Sequence, residues 1–236
     1  MSYSEARERF ASFGIDTERA LSVLKSVPIS VQCWQGDDVI GFEDMGTGLS
    51  GGIQTTGNYP GRARSFKELS DDIEFAFSLI GGTKRLNLHA SYLSSGRKCG
   101  RNEIEVKDYE GWMDFSRRLG IALDFNPTLF SHPMVKDNLT LSSPDESVRD
   151  YWVEHCIRSR RIASAFASNQ DGFSVVNTWI ADGFKDYPAD RLGPRERLRE
   201  SLDRIFSVEA PGVIDSVESK TFGIGLEAFT VGSNEF

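Results

Sequence analysis

One stretch decides how the rest of the chain is interpreted: Val213-Ile214-Asp215-Ser216-Val217-Glu218-Ser219-Lys220. Its β-branched residues favour a strand. Glu218 and Lys220 lie two positions apart, so on a strand their side chains point to the same face. By spacing alone, a solvated carboxylate or a Glu218–Lys220 pair is favoured over a functional role. A central strand would favour function, because inward-facing charges are costly unless they are paired or bound to metal.

Four further predicted strands precede this one, and helices separate them. The predicted strands span residues 28–34, 85–90, 121–125, 175–180 and 213–220. Predicted helices span residues 3–13, 17–25, 66–80, 107–119, 144–167 and 194–206. This alternation predicts parallel strands joined by right-handed crossovers. An open doubly wound sheet and a closed barrel both have that order.

Capping signals place two of the helix starts. Ser65 and Glu68 have the spacing of a capping box. Ser143 and Glu146 have the same spacing, with Pro144 at the expected first helical position. We therefore expect one helix to begin after Ser65 and a long helix to begin after Ser143.

Polar residues collect where the predicted strands end. They are Gln35, Asp37, His89, Asn126, residues 177–182, Glu218 and Lys220. The active-site face of a β/α barrel is built in this way. We expect a partial (β/α)8 TIM barrel of about five βα units, with residues 1–236 as one domain and residues 1–27 as a short N-terminal helical extension. A complete barrel at this spacing needs roughly 350–400 residues, so we expect about three units to be missing after Phe236.

Composition excludes several classes of protein. The formal net charge is -8, which argues against nucleic acid as the main partner. The sequence contains no run of about 18 apolar residues, so no membrane span is expected. Three distant cysteines, Cys33, Cys99 and Cys156, favour free thiols in a reducing cytoplasm.

Individual motifs are weak when taken alone. Residues 46–51 spell G-x-G-x-x-G, but only a weak predicted strand precedes them, and Gly57, Pro60 and Gly61 follow where a dinucleotide site requires a helix. His89, at a strand end, suits a sugar hydroxyl, a metal or a buried structural position. No pair of histidines has zinc-ligand spacing. The basic cluster Arg158, Arg160 and Arg161 is interpreted as a solvated helix face.

Several longer stretches together resemble bacterial L-rhamnose isomerase. They are residues 33–39 (CWQGDDV), 51–61 (GGIQTTGNYPG), 84–90 (KRLNLHA), 123–127 (LDFNP), 130–133 (FSHP), 217–225 (VESKTFGIG) and 230–236 (TVGSNEF). They occur in order from near the start to the end of the chain, so the resemblance covers essentially its whole length, and the longest stretches have about ten residues. Chance is therefore not a serious alternative.

The resemblance implies a xylose-isomerase-like barrel that interconverts L-rhamnose and L-rhamnulose with two divalent cations, preferably Mn²⁺. By resemblance, Glu218 is a metal ligand, and Lys220 contacts the sugar near O1 as a catalytic and substrate-binding residue. His89 and Trp179 line the sugar site, and residues 43–62 form a mobile loop that covers it. The family also implies a homotetramer.

Two alternatives stay open at this point. The family's other metal ligands come from later strands, so this chain is expected to be an inactive part of the enzyme or a non-catalytic barrel fragment. A metal-dependent endonuclease of the same barrel superfamily is the other alternative, although the net charge of -8 opposes it.

Overall fold

A computed structural model describes residues 1–33, 41–42, 63–220 and 227–232. Predictions that concern Trp34, Gln35, Asp37, the G-x-G-x-x-G motif and residues 43–62 lie outside the described residues. The helices are α1 (Tyr3–Ala11), α2 (Thr17–Ser26), α3 (Phe66–Leu79), α4 (Glu110–Leu119), α5 (Glu146–Asn169) and α6 (Gly193–Phe206). The strands are β1 (Ile29–Gln32), β2 (Lys84–His89), β3 (Ala122–Asn126), β4 (Ser174–Ile180), β5 (Gly183–Phe184), β6 (Val213–Ser219) and β7 (Phe229–Thr230).

Five of these strands form one parallel sheet in the order β1-β2-β3-β4-β6. Consecutive strands are neighbours and helices connect them, which confirms the predicted alternation. The sheet is a half-barrel, compatible with part of a (β/α)8 barrel. The short antiparallel pair β5–β7 was not predicted, because two-residue strands leave no periodic pattern in a sequence.

The helices pack on one face of the half-barrel. There, Leu86, Leu123 and Phe125 are fully buried, and the Phe125 ring meets Phe166 of α5 edge-on with centroids 5.8 Å apart. Burial of an apolar side chain of this size stabilises the fold by about 1.5–3 kcal/mol. Because successive side chains in a strand point to opposite faces, the residues that alternate with these apolar ones lie on the other face of the sheet.

That opposite face, here called the inner face, is mostly polar. Strand register aligns His89 with Asn126 and Trp179 with Glu218, so these side chains share it. Its polar members are Ser30, Gln32, Arg85, Asn87, His89, Asp124, Asn126, Asn177, Ser216 and Glu218, and Ala122, Val175, Trp179 and Ile214 also lie on it. The polar side chains at the C-terminal ends of these strands lie where a β/α barrel places its active site.

Two local predictions were wrong. Asp145, not Ser143, caps α5, and its carboxylate accepts from the Ser147 amide at 2.9 Å. Pro144 therefore precedes the cap instead of opening the helix. Arg160 is buried rather than solvated, because its guanidinium pairs with Asp215 of β6 at 2.9 Å.

The prediction for Ser65 was correct as a cap, although the reciprocal half of the box is absent. The Ser65 hydroxyl accepts from the Glu68 amide at 3.3 Å. The Glu68 carboxylate instead accepts from the Arg64 amide at 2.8 Å. In the N-terminal helices α1 and α2 no residue is buried. Among the described residues, none of the helices has the length and apolarity to cross a membrane.

Candidate active site

Near the N-terminal ends of the strands, the negative charge of Asp124 on the inner face is neutralised by Arg85. Asp124 accepts two hydrogen bonds from Arg85, at 2.6 and 2.9 Å. Ser30 and the Val175 amide donate to the same carboxylate at 2.6 and 2.8 Å. Four donors saturate a carboxylate, so Asp124 ties β1 to β4 and has no capacity left for a ligand.

His89 lies further toward the C-terminal ends and is 2% exposed. Its Nδ1 lies 3.1 Å from Thr128 Oγ1, and its Nε2 lies 3.0 Å from Gln32 Oε1. Burial, followed by the Arg101 charge, lowers the pKa of His89 to about 3. The imidazole is therefore neutral at physiological pH, with one nitrogen donating and the other accepting.

Glu218 lies near the end of β6 with an exposed side chain. Asn177 on the neighbouring strand donates to Glu218 Oε2 at 2.6 Å. This amide holds one carboxylate oxygen toward the inner face without supplying a positive charge. Among the described residues this is the only hydrogen bond of the Glu218 side chain, so the carboxylate retains its negative charge for another ligand.

Lys220 follows β6 directly and is 1% exposed. Its Nζ donates to Glu227 Oε1 at 2.5 Å, and the same nitrogen lies 5.9 Å from the centre of the Trp179 ring. The sequence suggested pairing with Glu218, but the carboxylate that balances Lys220 is Glu227. The Lys220 ammonium therefore lies near the Trp179 indole, and Trp179 is the strand neighbour of Glu218.

Trp179 completes the wall between these groups. It aligns with Glu218 in the strand register and meets the Phe130 ring edge-on, with centroids 5.5 Å apart. Phe130 in turn lies 6.3 Å from the His89 ring. His89, Trp179, Glu218 and Lys220 thus lie along one continuous strip of the inner face.

The other candidate groups have structural roles. Asp182 accepts from the amides of Thr140 and Ser142, each at 2.9 Å, and from both hydroxyls, each at 2.5 Å. His132 accepts from the Met134 amide at 3.0 Å, and burial lowers its pKa to about 3. Across the described residues, His, Cys, Asp and Glu side chains form no group of three that could hold a metal ion.

Sequence reasoning missed four residues of this region. Glu227, Thr128, Gln32 and Phe130 each contact a candidate residue. Phe130 lies in the quoted FSHP stretch, but nothing there singled it out, and the other three lie outside the quoted stretches. Glu227 follows Lys220 by seven positions, a spacing that no regular element predicts. Only the fold brings these side chains to the candidate residues.

Comparison with known proteins gives a consistent result. A family model described as L-rhamnose isomerase (RhaA) matches residues 1–236. An L-rhamnose isomerase of Listeria monocytogenes serotype 4a is 51% identical over 236 residues, which is 99% of this chain and 56% of the relative. Those of Yersinia pseudotuberculosis serotype IB and Pectobacterium carotovorum are 52% and 53% identical over 233 residues, which is 98% of this chain and 56% of each relative. The chain spans about half the length of the curated relatives it matches, and it belongs to the L-rhamnose isomerase family.

Proposed function

We propose that this chain supplies the sugar-binding strip and the first metal ligand of an aldose–ketose isomerase that interconverts L-rhamnose and L-rhamnulose. The observation that carries the proposal is the grouping of Glu218, Lys220 and Trp179 at the C-terminal ends of two adjacent parallel strands. Active sites of β/α barrels occupy this end of the sheet.

Each side chain has a role that its environment supports. Lys220 donates to the sugar at O1, where negative charge develops during isomerisation, and its buried position strengthens that interaction. Trp179 offers an aromatic face to the carbon-bound hydrogens of the sugar. His89 binds a sugar hydroxyl further along the strip.

Glu218 fits the role of one ligand to a divalent cation such as Mn²⁺. Hard cations take oxygen ligands, and this carboxylate is exposed on the inner face with a neutral amide as its partner. One carboxylate does not make a metal site, so the other ligands of the proposed pair of cations come from outside the described residues. When bound, such cations polarise the oxygens of the open sugar.

Further features of the proposal come from the family. They are a xylose-isomerase-like barrel, a homotetramer in the complete enzyme and a cytoplasmic location. The strip has two charged groups, Glu218 and Lys220, and Lys220 is paired with Glu227. Neutral hydroxyl-rich sugars suit its remaining side chains, His89 and Trp179. Nucleic acid and membrane are not proposed as partners, in keeping with the net charge of -8.

The test uses a chimera in which residues 1–236 replace the matching part of the Listeria monocytogenes relative. We expect the chimera to interconvert L-rhamnose and L-rhamnulose and to bind Mn²⁺ in a calorimetric titration. Glu218→Gln should sharply weaken both, because the amide oxygen is a poorer metal ligand than a carboxylate. Glu200→Gln, an exposed carboxylate on α6, is the matched control and should change neither.

Two results would count against the proposal. A folded chimera without isomerase activity, beside an active Listeria parent, would refute the function. Unchanged Mn²⁺ affinity in Glu218→Gln would remove Glu218 from the metal site while leaving the isomerase function standing.

A further inference from the structure

Glu227 reaches Lys220 from a different part of the fold. It lies two residues before β7, and its Oε1 accepts from Lys220 Nζ at 2.5 Å. Both side chains are buried, with exposed fractions of 3% for Glu227 and 0% for Lys220. Burial removes the hydration of both charges, so such a pair does little for stability compared with an apolar pair of similar volume. Position, rather than stability, is therefore what this pair can contribute to the site.

The segment that carries Glu227 is attached to the C-terminal ends of β4 and β6. The Val231 amide donates at 3.0 Å to the carbonyl oxygen of Asp182, a residue whose own carboxylate is held by four donors. The Ser219 hydroxyl, at the end of β6, donates to the Gly232 carbonyl oxygen. In addition, β7 pairs with β5. The backbone of this segment therefore determines where the Glu227 carboxylate lies.

Gly183 on β5 leaves room for the Glu227 side chain. A Cβ added at Gly183 would lie 2.9 Å from Glu227 Cγ and 2.9 Å from the Phe229 carbonyl oxygen. Both distances are well inside the roughly 3.5–4.0 Å at which nonbonded carbon atoms pack. Gly183 does not have a positive φ, so this close approach, and not the backbone conformation, favours glycine here. A larger residue has to displace either the carboxylate or β7.

We propose that Glu227 is a positioning residue that holds the Lys220 ammonium beside Trp179, 5.9 Å from the ring centre. Gly183 contributes by leaving the space in which the carboxylate lies. The inference rests on the proposed function, in which Lys220 donates to the sugar at O1. A lysine side chain has many rotamers, and a carboxylate fixed by the backbone selects one of them. Because charge at O1 develops as the reaction proceeds, the placement of the ammonium matters more for the transition state than for the bound sugar.

The test separates the position of the carboxylate from its charge in the chimera that contains residues 1–236. Glu227→Asp keeps the charge but shortens the side chain by one methylene group, and Gly183→Ala leaves both charged partners unchanged. We expect each variant to lower kcat by roughly 10- to 100-fold, since misplacement by about 1 Å has effects of this size. KM for L-rhamnose should change by less than about twofold, as for an interaction made mainly in the transition state.

Two controls and one further measurement distinguish positioning from general damage. Gly81→Ala is the control for Gly183→Ala, because an added Cβ there meets no atom within 4 Å in the part of the chain that the structure describes. Glu200→Asp, an exposed position on α6, is the control for Glu227→Asp. Both controls should keep the kcat of the unmodified chimera. Mn²⁺ affinity in a calorimetric titration should be the same in all four variants, because Glu218 is unchanged.

Two kinetic results would overturn the proposal. A kcat within about twofold of the unmodified chimera in both Glu227→Asp and Gly183→Ala would show that the position of the carboxylate does not matter. A loss of kcat that is accompanied by loss of Mn²⁺ affinity would show general damage to the site. If Glu227→Asp does not fold, Gly183→Ala decides the point, because it retains both charges.

Crystal structures of the sugar-free chimera and of its Gly183→Ala variant test the contact without any reaction. We expect Lys220 Nζ within about 2.7–2.9 Å of a Glu227 carboxylate oxygen in the unmodified chimera and displaced in the variant. An ammonium that binds elsewhere in the chimera, or that stays in place in the variant, would overturn the positioning role. A chimera that has the contact but does not isomerise the sugar would refute the proposed function and leave the contact standing. An active chimera without the contact would do the opposite.

Discussion

The buried pair between Lys220 and Glu227 permits a quantitative prediction about stability. Both side chains are at most 3% exposed, and their charged atoms lie 2.5 Å apart. Glu227→Leu removes the carboxylate that pairs with the ammonium and leaves the ammonium buried. Loss of one partner of a buried ion pair costs about 3–5 kcal/mol, so we expect the free energy of unfolding to fall by that amount.

Removing both charges should have a much smaller effect. In Lys220→Met/Glu227→Leu neither charge has to be desolvated, and such replacements are neutral or stabilising by about 1–4 kcal/mol. A second feature supports this expectation. Glu227 Oε2 is buried and has no hydrogen-bond partner among the residues that the structure describes, so the apolar variant also removes an oxygen unsatisfied there.

Urea denaturation of the parent, both single variants and the double variant measures these differences. Asp71→Leu is the matched control, because it breaks the Lys67–Asp71 pair at 2.6 Å whose side chains are 80% and 61% exposed. Exposed helix pairs of this kind contribute about 0.3–0.5 kcal/mol. A Glu227→Leu cost no larger than that of the control, or a double variant as unstable as the single ones, would refute the argument. In the chimera, a stable double variant should still fail to isomerise L-rhamnose, since it lacks Lys220.

Three other predictions concern the framework. Asp182→Ala should lower the unfolding free energy by about 3 kcal/mol or more, because four donors on Thr140 and Ser142 lose their acceptor; a thermal midpoint equal to that of the parent would contradict this. Gly120→Ala should cost about 1 kcal/mol by urea denaturation, since Gly120 has φ 64° at the end of α4, and a stabilised variant would contradict it. Burial lowers the pKa of all three histidines, to between about 3 and about 4. They therefore bind protons first in the unfolded state, so stability should fall as pH drops below about 6.5, by up to about 1.4 kcal/mol per pH unit for each histidine; a urea midpoint constant between pH ~7 and ~5 would contradict this.

The parts of the fold that the sequence predicts correctly depend on local physics. The predicted helices over residues 66–80 and 17–25 begin as expected, because the side-chain oxygens of Ser65 and Asp16 each accept from an amide three residues ahead, at 3.3 and 3.1 Å. Gly120 ends α4 in the left-handed conformation that favours glycine. The strands follow from short β-rich runs between these helices, and their order in the sheet follows from the rule that consecutive units are adjacent.

The parts that the sequence does not predict depend on contacts between distant residues. Arg160 carries the same charge as Arg158 and Arg161 on α5. Its burial depends on Asp215, 55 positions away, and on the carbonyl oxygens of Ile205 and Val208. The partner of Lys220 is similarly hidden, because two glutamates lie within seven residues of it and sequence does not choose between them. The sequence placed Glu218 and Lys220 on one strand end correctly, but not the carboxylate that binds the lysine.

The distribution of charge along the inner face explains why one carboxylate is available and others are not. Asp124 has four donors near the N-terminal ends of the strands, two of them from Arg85. Near the C-terminal ends, Lys220 is balanced by Glu227, so Glu218 is an additional negative charge with only an amide beside it. One ammonium and two carboxylates give these three groups a net charge of -1. A carboxylate that the fold itself does not neutralise attracts a cation, and the mouth of the half-barrel is where such a cation would meet a sugar beside Trp179.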